Sequence, residues 1–242
     1  MTEDPIVIVG MARTPMGSFQ GSLSSISAPK LGSVAITAAL ERAQVSNEDV
    51  SEVIMGCVLP AGQGQAPARQ AALGAGVPMD VGATTINKMC GSGMKATMFG
   101  HDLIVAGSAD IAVVGGLESM SNAPYLLPKV RQGLRMGHGE IKDHMFIDGL
   151  EDAYDKGRLM GVFAENTAEK YQFTRESQDE FAIRSLKRGK KANEDGSFDG
   201  EMVPVTIKTR KEEVLVDRDE QPFPLILKRY PLLSQPSARM AR

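Results

Sequence analysis

Only two cysteines and three histidines occur among 242 residues, and the cysteines, Cys57 and Cys90, follow no repeated spacing. That usage points to neither a disulfide framework nor a zinc site. Long hydrophobic runs are missing as well: no apolar stretch approaches the roughly 20 residues that cross a bilayer as a helix. The start, Met1-Thr-Glu-Asp-Pro5, is acidic where an export signal is cationic, and no cleavage site follows its short apolar run. Charge of one sign is also scarce. Lys and Arg total 27 against 30 Asp and Glu, for a formal net charge of −3, and the two signs are interspersed. No basic surface suited to a phosphate backbone results, which argues against nucleic acid as a partner. Internal repeats and low-complexity tracts are absent. The expectation is a globular cytoplasmic protein with no membrane partner, and its 42% hydrophobic residues are enough for a proper core.

From residue 5 to 119, short apolar runs alternate with helical patterns, the signature of βαβ units and a largely parallel sheet. Ile6-Val7-Ile8-Val9-Gly10 reads as the first strand. Leu31, Val34, Ala35, Ala38 and Ala39 recur at helical spacing over residues 29–43, with Ser27 as N-cap and Pro29 in the first turn. A second strand over 53–58, a helix over 65–75, a third strand over 84–89 and a helix over 91–106 follow. The unbroken apolar run Ile111–Gly115 reads as a strand buried on both faces. Beyond Met120 the prolines at 124 and 128 and the glycines at 133, 137, 139 and 149 mark an irregular excursion. Helices return at 164–171 and at 175–193, the second capped by Thr174 and turning Phe181 and Leu186 inward. Residues 203–216 read as a β-hairpin with Arg210, Lys211 and Glu212 near its turn.

The most informative segment is Asn87-Lys88-Met89-Cys90-Gly91-Ser92-Gly93-Met94. It places a nucleophilic side chain between the end of a strand and the start of a helix. A helix N-terminus presents unpaired amides and a positive dipole end, both of which stabilise a thiolate. The same amides suit the oxyanion of a tetrahedral intermediate, and glycines at 91 and 93 let another backbone or a thioester carbonyl come close. Acyl transfer through Cys90 is the chemistry this pattern favours. Cys57, inside a strand, reads as a buried small hydrophobe. Gly91-Ser-Gly93-Met-Lys-Ala96 also fits a dinucleotide fingerprint. That fingerprint belongs after a first strand, however, and its acidic partner finds only Glu118, placed late.

The run from Asn87 to Ala96 resembles the nucleophile motif of thiolases, the acetyl-CoA acetyltransferase and 3-ketoacyl-CoA thiolase group. Four further segments resemble thiolase segments in the same order: Ala12 to Gly17, Gly62 to Gln70, Gly115 to Ser121 and Ala164 to Ala168. The resemblance implies an α/β fold: a thiolase-like layered α/β core, of which residues 1–119 are the first half only, with an inserted coenzyme A-binding loop domain over 120–221. It implies that Cys90 takes an acyl group from one acyl-CoA and passes it to another acyl-CoA or to free coenzyme A. It places Leu150 and Met160 on the pantetheine side of coenzyme A and Arg210 near the adenine. Coenzyme A thioesters would be substrates, with no permanently bound cofactor and no metal, and the protein would be a homo-oligomer, a dimer or tetramer. Short-chain biosynthetic thiolases often carry a histidine just before the Met-Gly pair, where this sequence has Leu159. Ketosynthase-type condensing enzymes are the nearest alternative, but Gly-Gln-Gly and Lys-Met-Cys-Gly-Ser-Gly are closer to thiolases.

Three later thiolase motifs do not occur here: Asn-Glu-Ala-Phe, Gly-His-Pro, and a second cysteine in a glycine-rich run. In the family that histidine activates the nucleophile and that cysteine moves the proton of the enolate. The expectation is therefore a truncated chain inactive alone, with a non-catalytic coenzyme A-binding fragment as the alternative. None of the three histidines replaces the missing one. His101 follows Cys90 along one helix at a separation of about 16 Å, beyond proton-transfer reach. His138 and His144 read as exposed loop histidines. From about Phe223 the composition shifts abruptly, and residues 222–242 read as an atypical tail of non-native sequence, such as a frameshift produces.

Overall fold

In a computed structural model, which describes residues 5–209 and 212–221, three short parallel strands stand side by side. They are β1 (Glu52–Gly56), β2 (Gly82–Ile86) and β3 (Ala112–Gly116), in the order β2-β1-β3. The register aligns their last residues: Gly56 lies opposite Ile86 on one side and Gly116 on the other. All three chains therefore leave the sheet at one edge. In open parallel sheets that carboxyl edge is where ligands and reactive groups collect.

The helices follow from local sequence. α1 (Ala28–Ala43) begins after Ser27 in an extended conformation with Pro29 in the first turn, and it ends where Gln44 turns left-handed at φ 55°. Pro at the first turn costs no hydrogen bond because that N–H has no helical acceptor. α2 (Pro67–Gly74) starts with proline for the same reason. α1 and α2 pack on one face of the sheet through small residues. A Cβ on Gly32 would lie 2.8 Å from Leu117 and 3.2 Å from Ala71. The core joins Ala28, Ile36 and Leu40 of α1, Val53 and Met55 of β1, Ala68, Ala71 and Ala72 of α2, and Leu117. Val53 is fully buried, a contribution of about 1.5–3 kcal/mol.

α3 (Ser92–Val105) packs on β1 and β3, with Ala96 and Gly100 toward the sheet. Its other side carries Met94, Met98, Phe99 and Val105, of which Met94 is 70% and Val105 66% exposed. Burial of β3 on both faces is thus only partly realised: Ala112, Val113, Val114 and Gly115 are all half-buried.

One compact unit runs up to Ala123 and resumes at Asp199–Arg218. Its later part holds the expected hairpin. β6 (Val205–Lys208) pairs antiparallel with β7 (Glu213–Val216), and Val205, Ile207 and Val216 bury against Leu23 and Ile26. The second unit, which includes Pro124–Phe198, holds β4 (Tyr125–Leu126), β5 (Lys142–Asp143), α4 (Met160–Lys170) and α5 (Arg175–Glu194). In the first unit Arg42 donates to the carbonyls of Met11, Gly200, Glu201 and Met202, and Arg13 pairs with Glu201 at 2.5 Å.

Four local expectations need correction. Ile6–Gly10 is not a strand: Val7, Ile8 and Val9 are exposed, and among the described residues no strand lies alongside to complete a ladder. Gly10 instead lies against α1, where a Cβ would fall 2.5 Å from the Ala39 carbonyl oxygen. α4 starts four residues before the expected Ala164, at Met160. In α5, capped as expected by Thr174 accepting from the Ser177 N–H, Phe181 is exposed; Ala182, Ile183 and Leu186 form the half-buried side. His144 is not an exposed loop histidine. It is 4% exposed, and its Nδ1 lies 2.6 Å from Asp148 in the turn that follows. The expectation for residues 222–242 lies outside the described residues.

Candidate active site

Strand β2 ends at Ile86, and the five residues that follow form a tight elbow leading into α3 at Ser92. Asn87 Oδ1 accepts from the Met89 N–H at 2.9 Å, a turn made by an Asn side chain closing on the backbone two residues on. Met89 then adopts φ 49°, a conformation that costs a non-glycine residue free energy and persists only where neighbours enforce it. Ser92 supplies the enforcement from the far side. Its hydroxyl donates to the Met89 carbonyl at 2.6 Å and accepts from the Lys88 N–H at 2.8 Å. The chain reverses between these clamps, and Cys90 stands exposed at the apex.

The elbow is pressed onto the sheet edge. A Cβ on Gly56 would lie 2.4 Å from Ser92 Cβ and 2.8 Å from the Ser92 carbonyl carbon, while Gly93 sits 3.6 Å from the Gly115 backbone by the same construction. Glycine at 56 is required for space, not for backbone angle. The amides of Gly91 and Ser92 close the turn on the Lys88 and Met89 carbonyls, so they are not free for an oxyanion. The next first-turn amides, of Gly93 and Met94, remain the helix-end donors with no acceptor among the described residues.

The two cysteines contrast sharply. Cys57 is 2% exposed, and burial, reinforced by the Glu118 carboxylate, pushes its thiol up to about 12. Its Sγ lies 3.6 Å from Glu118 Oε1. It is held as the neutral thiol, in keeping with the core role read from sequence. Glu118 also accepts from the Val58 N–H at 2.8 Å and the Leu59 N–H at 3.1 Å. The acid that a dinucleotide fingerprint would need for a ribose is therefore committed to backbone.

In the second unit, Leu150 is half-buried at the end of a five-residue π-helical turn, Phe146–Leu150, and Met160 opens α4 at 48% exposure. An isolated antiparallel bridge joins Glu151 and Leu159, the chain neighbours of Leu150 and Met160. Arg210 lies outside the described residues. Of the histidines, His101 is exposed on α3 beside Asp102, and His138 and His144 belong to the second unit. Sequence reasoning missed the clamping roles of Asn87, Ser92 and Glu118. An Asn two residues before a strained position was a usable signal; the Glu118 contacts, across 60 residues, left none in a single sequence. Among the described residues, no group of three His, Cys, Asp or Glu could hold a metal ion, and no helix is long and apolar enough to cross a membrane.

The chain is similar to the acetyl-CoA acetyltransferase of Cupriavidus necator, 53% identical over 216 residues that cover 89% of this chain and 55% of that protein. It is similar to acetyl-CoA acetyltransferase 2 of Arabidopsis thaliana, 54% identical over 218 residues, 89% of this chain and 54% of the relative. Acetyl-CoA acetyltransferase IB of Candida tropicalis is 50% identical over 224 residues, 91% and 55%. The chain thus spans about half the length of the curated relatives it matches. A family model described as "Thiolase, N-terminal domain" matches residues 6–228, and with the layered α/β arrangement of sheet and helices the chain belongs to the thiolase family, as its N-terminal domain.

Proposed function

We propose that this chain supplies the nucleophile of a thiolase-type acyl-CoA C-acyltransferase. Cys90 attacks the thioester carbonyl of an acyl-CoA, coenzyme A leaves as the thiol, and the acyl group stays on sulfur. A second acyl-CoA, as its enolate, then takes the acyl group to form a 3-ketoacyl-CoA such as acetoacetyl-CoA. In the reverse direction, Cys90 cleaves the ketoacyl-CoA and free coenzyme A collects the acyl group. The observation that carries this reading is the elbow: an exposed cysteine presented at the carboxyl edge of a parallel sheet, at a helix N-terminus, in a chain whose other cysteine is held as the neutral thiol.

In the same reading, residues 120–221 form the coenzyme A-binding loop domain. Leu150 and Met160 line the pantetheine, which the bridge between their neighbours Glu151 and Leu159 supports, and Arg210 lies near the adenine. Coenzyme A comes and goes as substrate, and no resident cofactor is required. The exposed apolar side of α3 supports a core whose second half covers it in the whole protein, which would work in the cytoplasm as a dimer or tetramer. A second reading is a coenzyme A-binding fragment without catalysis.

A hybrid separates the two. Residues 6–221 replace the matching segment of the Cupriavidus necator acetyl-CoA acetyltransferase, and cleavage of acetoacetyl-CoA by coenzyme A is assayed. The hybrid is expected to be active, and Cys90→Ala in it to lose roughly 10³–10⁶-fold in kcat, as removal of other covalent nucleophiles does. A folded hybrid with no activity, or an active Cys90→Ala hybrid, refutes the catalytic reading.

A further inference from the structure

We infer that Glu118 is a positioning residue for Cys90, acting through the turn at residues 57–59 and the side chain of Asn87. The inference rests on the reading of Cys90 as the nucleophile. Glu118 lies two residues past β3, and its carboxylate gathers three donors from the chain leaving β1: the Val58 N–H, the Leu59 N–H and the Cys57 thiol. Hydrogen bonds to an ionised acceptor are the stronger kind, so this turn is fixed more firmly than a surface loop. The Val58 carbonyl then accepts from Asn87 Nδ2 at 3.5 Å, and Asn87 Oδ1 accepts from the Met89 N–H at 2.9 Å. The Cys57 N–H also donates to the Ile86 carbonyl at 2.9 Å, a backbone bond that stays in place when either side chain is removed.

The strained residue is Met89, whose positive φ orients Cys90. Strain of this kind persists only when the surroundings over-determine it. Ser92 holds Met89 from the helix side and Asn87 from the strand side, and Asn87 is in turn placed by the turn that Glu118 fixes. These side-chain contacts carry the position of β3 to the cysteine. Glutamate suits the place because it offers only acceptors to three donors. Glutamine would point an NH₂ at one of them, and alanine would leave two half-buried amides without an acceptor.

The test is the rate of Cys90 alkylation by iodoacetamide in the full 242-residue chain, with site occupancy read by peptide mass spectrometry. Glu118→Ala and Asn87→Ala are each expected to slow it several-fold, toward the rate in the denaturant-unfolded chain, because the helix-end amides then no longer stand fixed beside the sulfur. Glu118→Gln, which keeps one acceptor oxygen, is expected to recover part of the loss. The double variant should be no slower than the worse single one, because both act through one path. Arg42→Ala, which removes bonds outside this chain of contacts, should lower Tm without changing the rate. Additive effects of Glu118 and Asn87, or an unchanged rate in a folded Asn87→Ala chain, would overturn the inference. Asn87 is exposed, so its variant is expected to fold even if Glu118→Ala does not. Alkylation needs no acyl-CoA: slowed alkylation in a protein that never accepts an acyl group would sink the proposed function and leave the positioning role standing.

Discussion

Iodoacetamide is expected to modify Cys90 in the folded chain while leaving Cys57 intact, by a margin of about a thousandfold or more. The alkylating species is the thiolate. Cys57 moves from an ordinary 9.0 to about 12, which alone lowers its thiolate population near neutral pH by roughly three orders of magnitude. Its 2% exposure adds a barrier of access. Cys90 has no such cover, since it stands exposed beyond the last residue of β2. In denaturant the difference should vanish, because both side chains then meet the same solvent. Cys57 also gives a pH prediction with a definite sign. Its folded value is raised, so the preference for the neutral thiol stabilises the fold fully below about 9 and is lost as pH climbs from there toward 12. The denaturant midpoint should fall across that window, and should fall less in Cys57→Ala. Equal labelling of the two cysteines in native protein would contradict the structural contrast at its root.

Gly56→Ala is expected to damage fold and site together. The added methyl meets Ser92 Cβ at 2.4 Å and the Ser92 carbonyl carbon at 2.8 Å. Neither neighbour is the far end of a flexible side chain, so relief requires moving the first turn of α3 away from β1. Overpacking of this kind costs typically about 1–3 kcal/mol, a drop of several degrees in Tm. The displaced element is the one that carries Ser92, the clamp on Met89, so Cys90 alkylation should also slow several-fold. Gly200→Ala is the matched control: its Cβ would meet nothing within 4 Å, and its effect should stay within about 0.5 kcal/mol. If the two variants melt alike, the close packing of β1 on the elbow is not what holds this site.

Much of this was legible from residues alone, for identifiable reasons. The three strands of the sheet overlap the β-branched and apolar runs, because such runs pack well on a pleated surface flanked by helices, but β2 ends at Ile86, three residues short of the expected Met89, where the Asn87 side chain turns the chain. The start of α1 was readable from Ser27 and Pro29, and that of α5 from Thr174, since caps are local chemistry. The position of Cys90 between a strand and a helix was readable for the same reason. What escaped depends on partners far away in sequence. Ile6–Gly10 has the composition of a strand, but a strand exists only against a neighbour. Phe181 is apolar yet sits just off the half-buried stripe of α5, one residue from Ala182. His144 lies in a glycine-rich stretch that reads as open loop, and Asp148, four residues on, folds back to meet it as the chain winds into the turn at Phe146–Leu150. Glu118 reaches across 60 residues to the amides after β1, and nothing in its own neighbourhood announces that.

The measurement closest to the central claim is peptide mass spectrometry of the 242-residue chain after incubation with acetyl-CoA. The account predicts an acetyl group on Cys90, none on Cys57, and none anywhere in Cys90→Ala. Acetylation that persists in the folded Cys90→Ala chain, or none in a wild-type chain whose Cys90 alkylates readily, would contradict it.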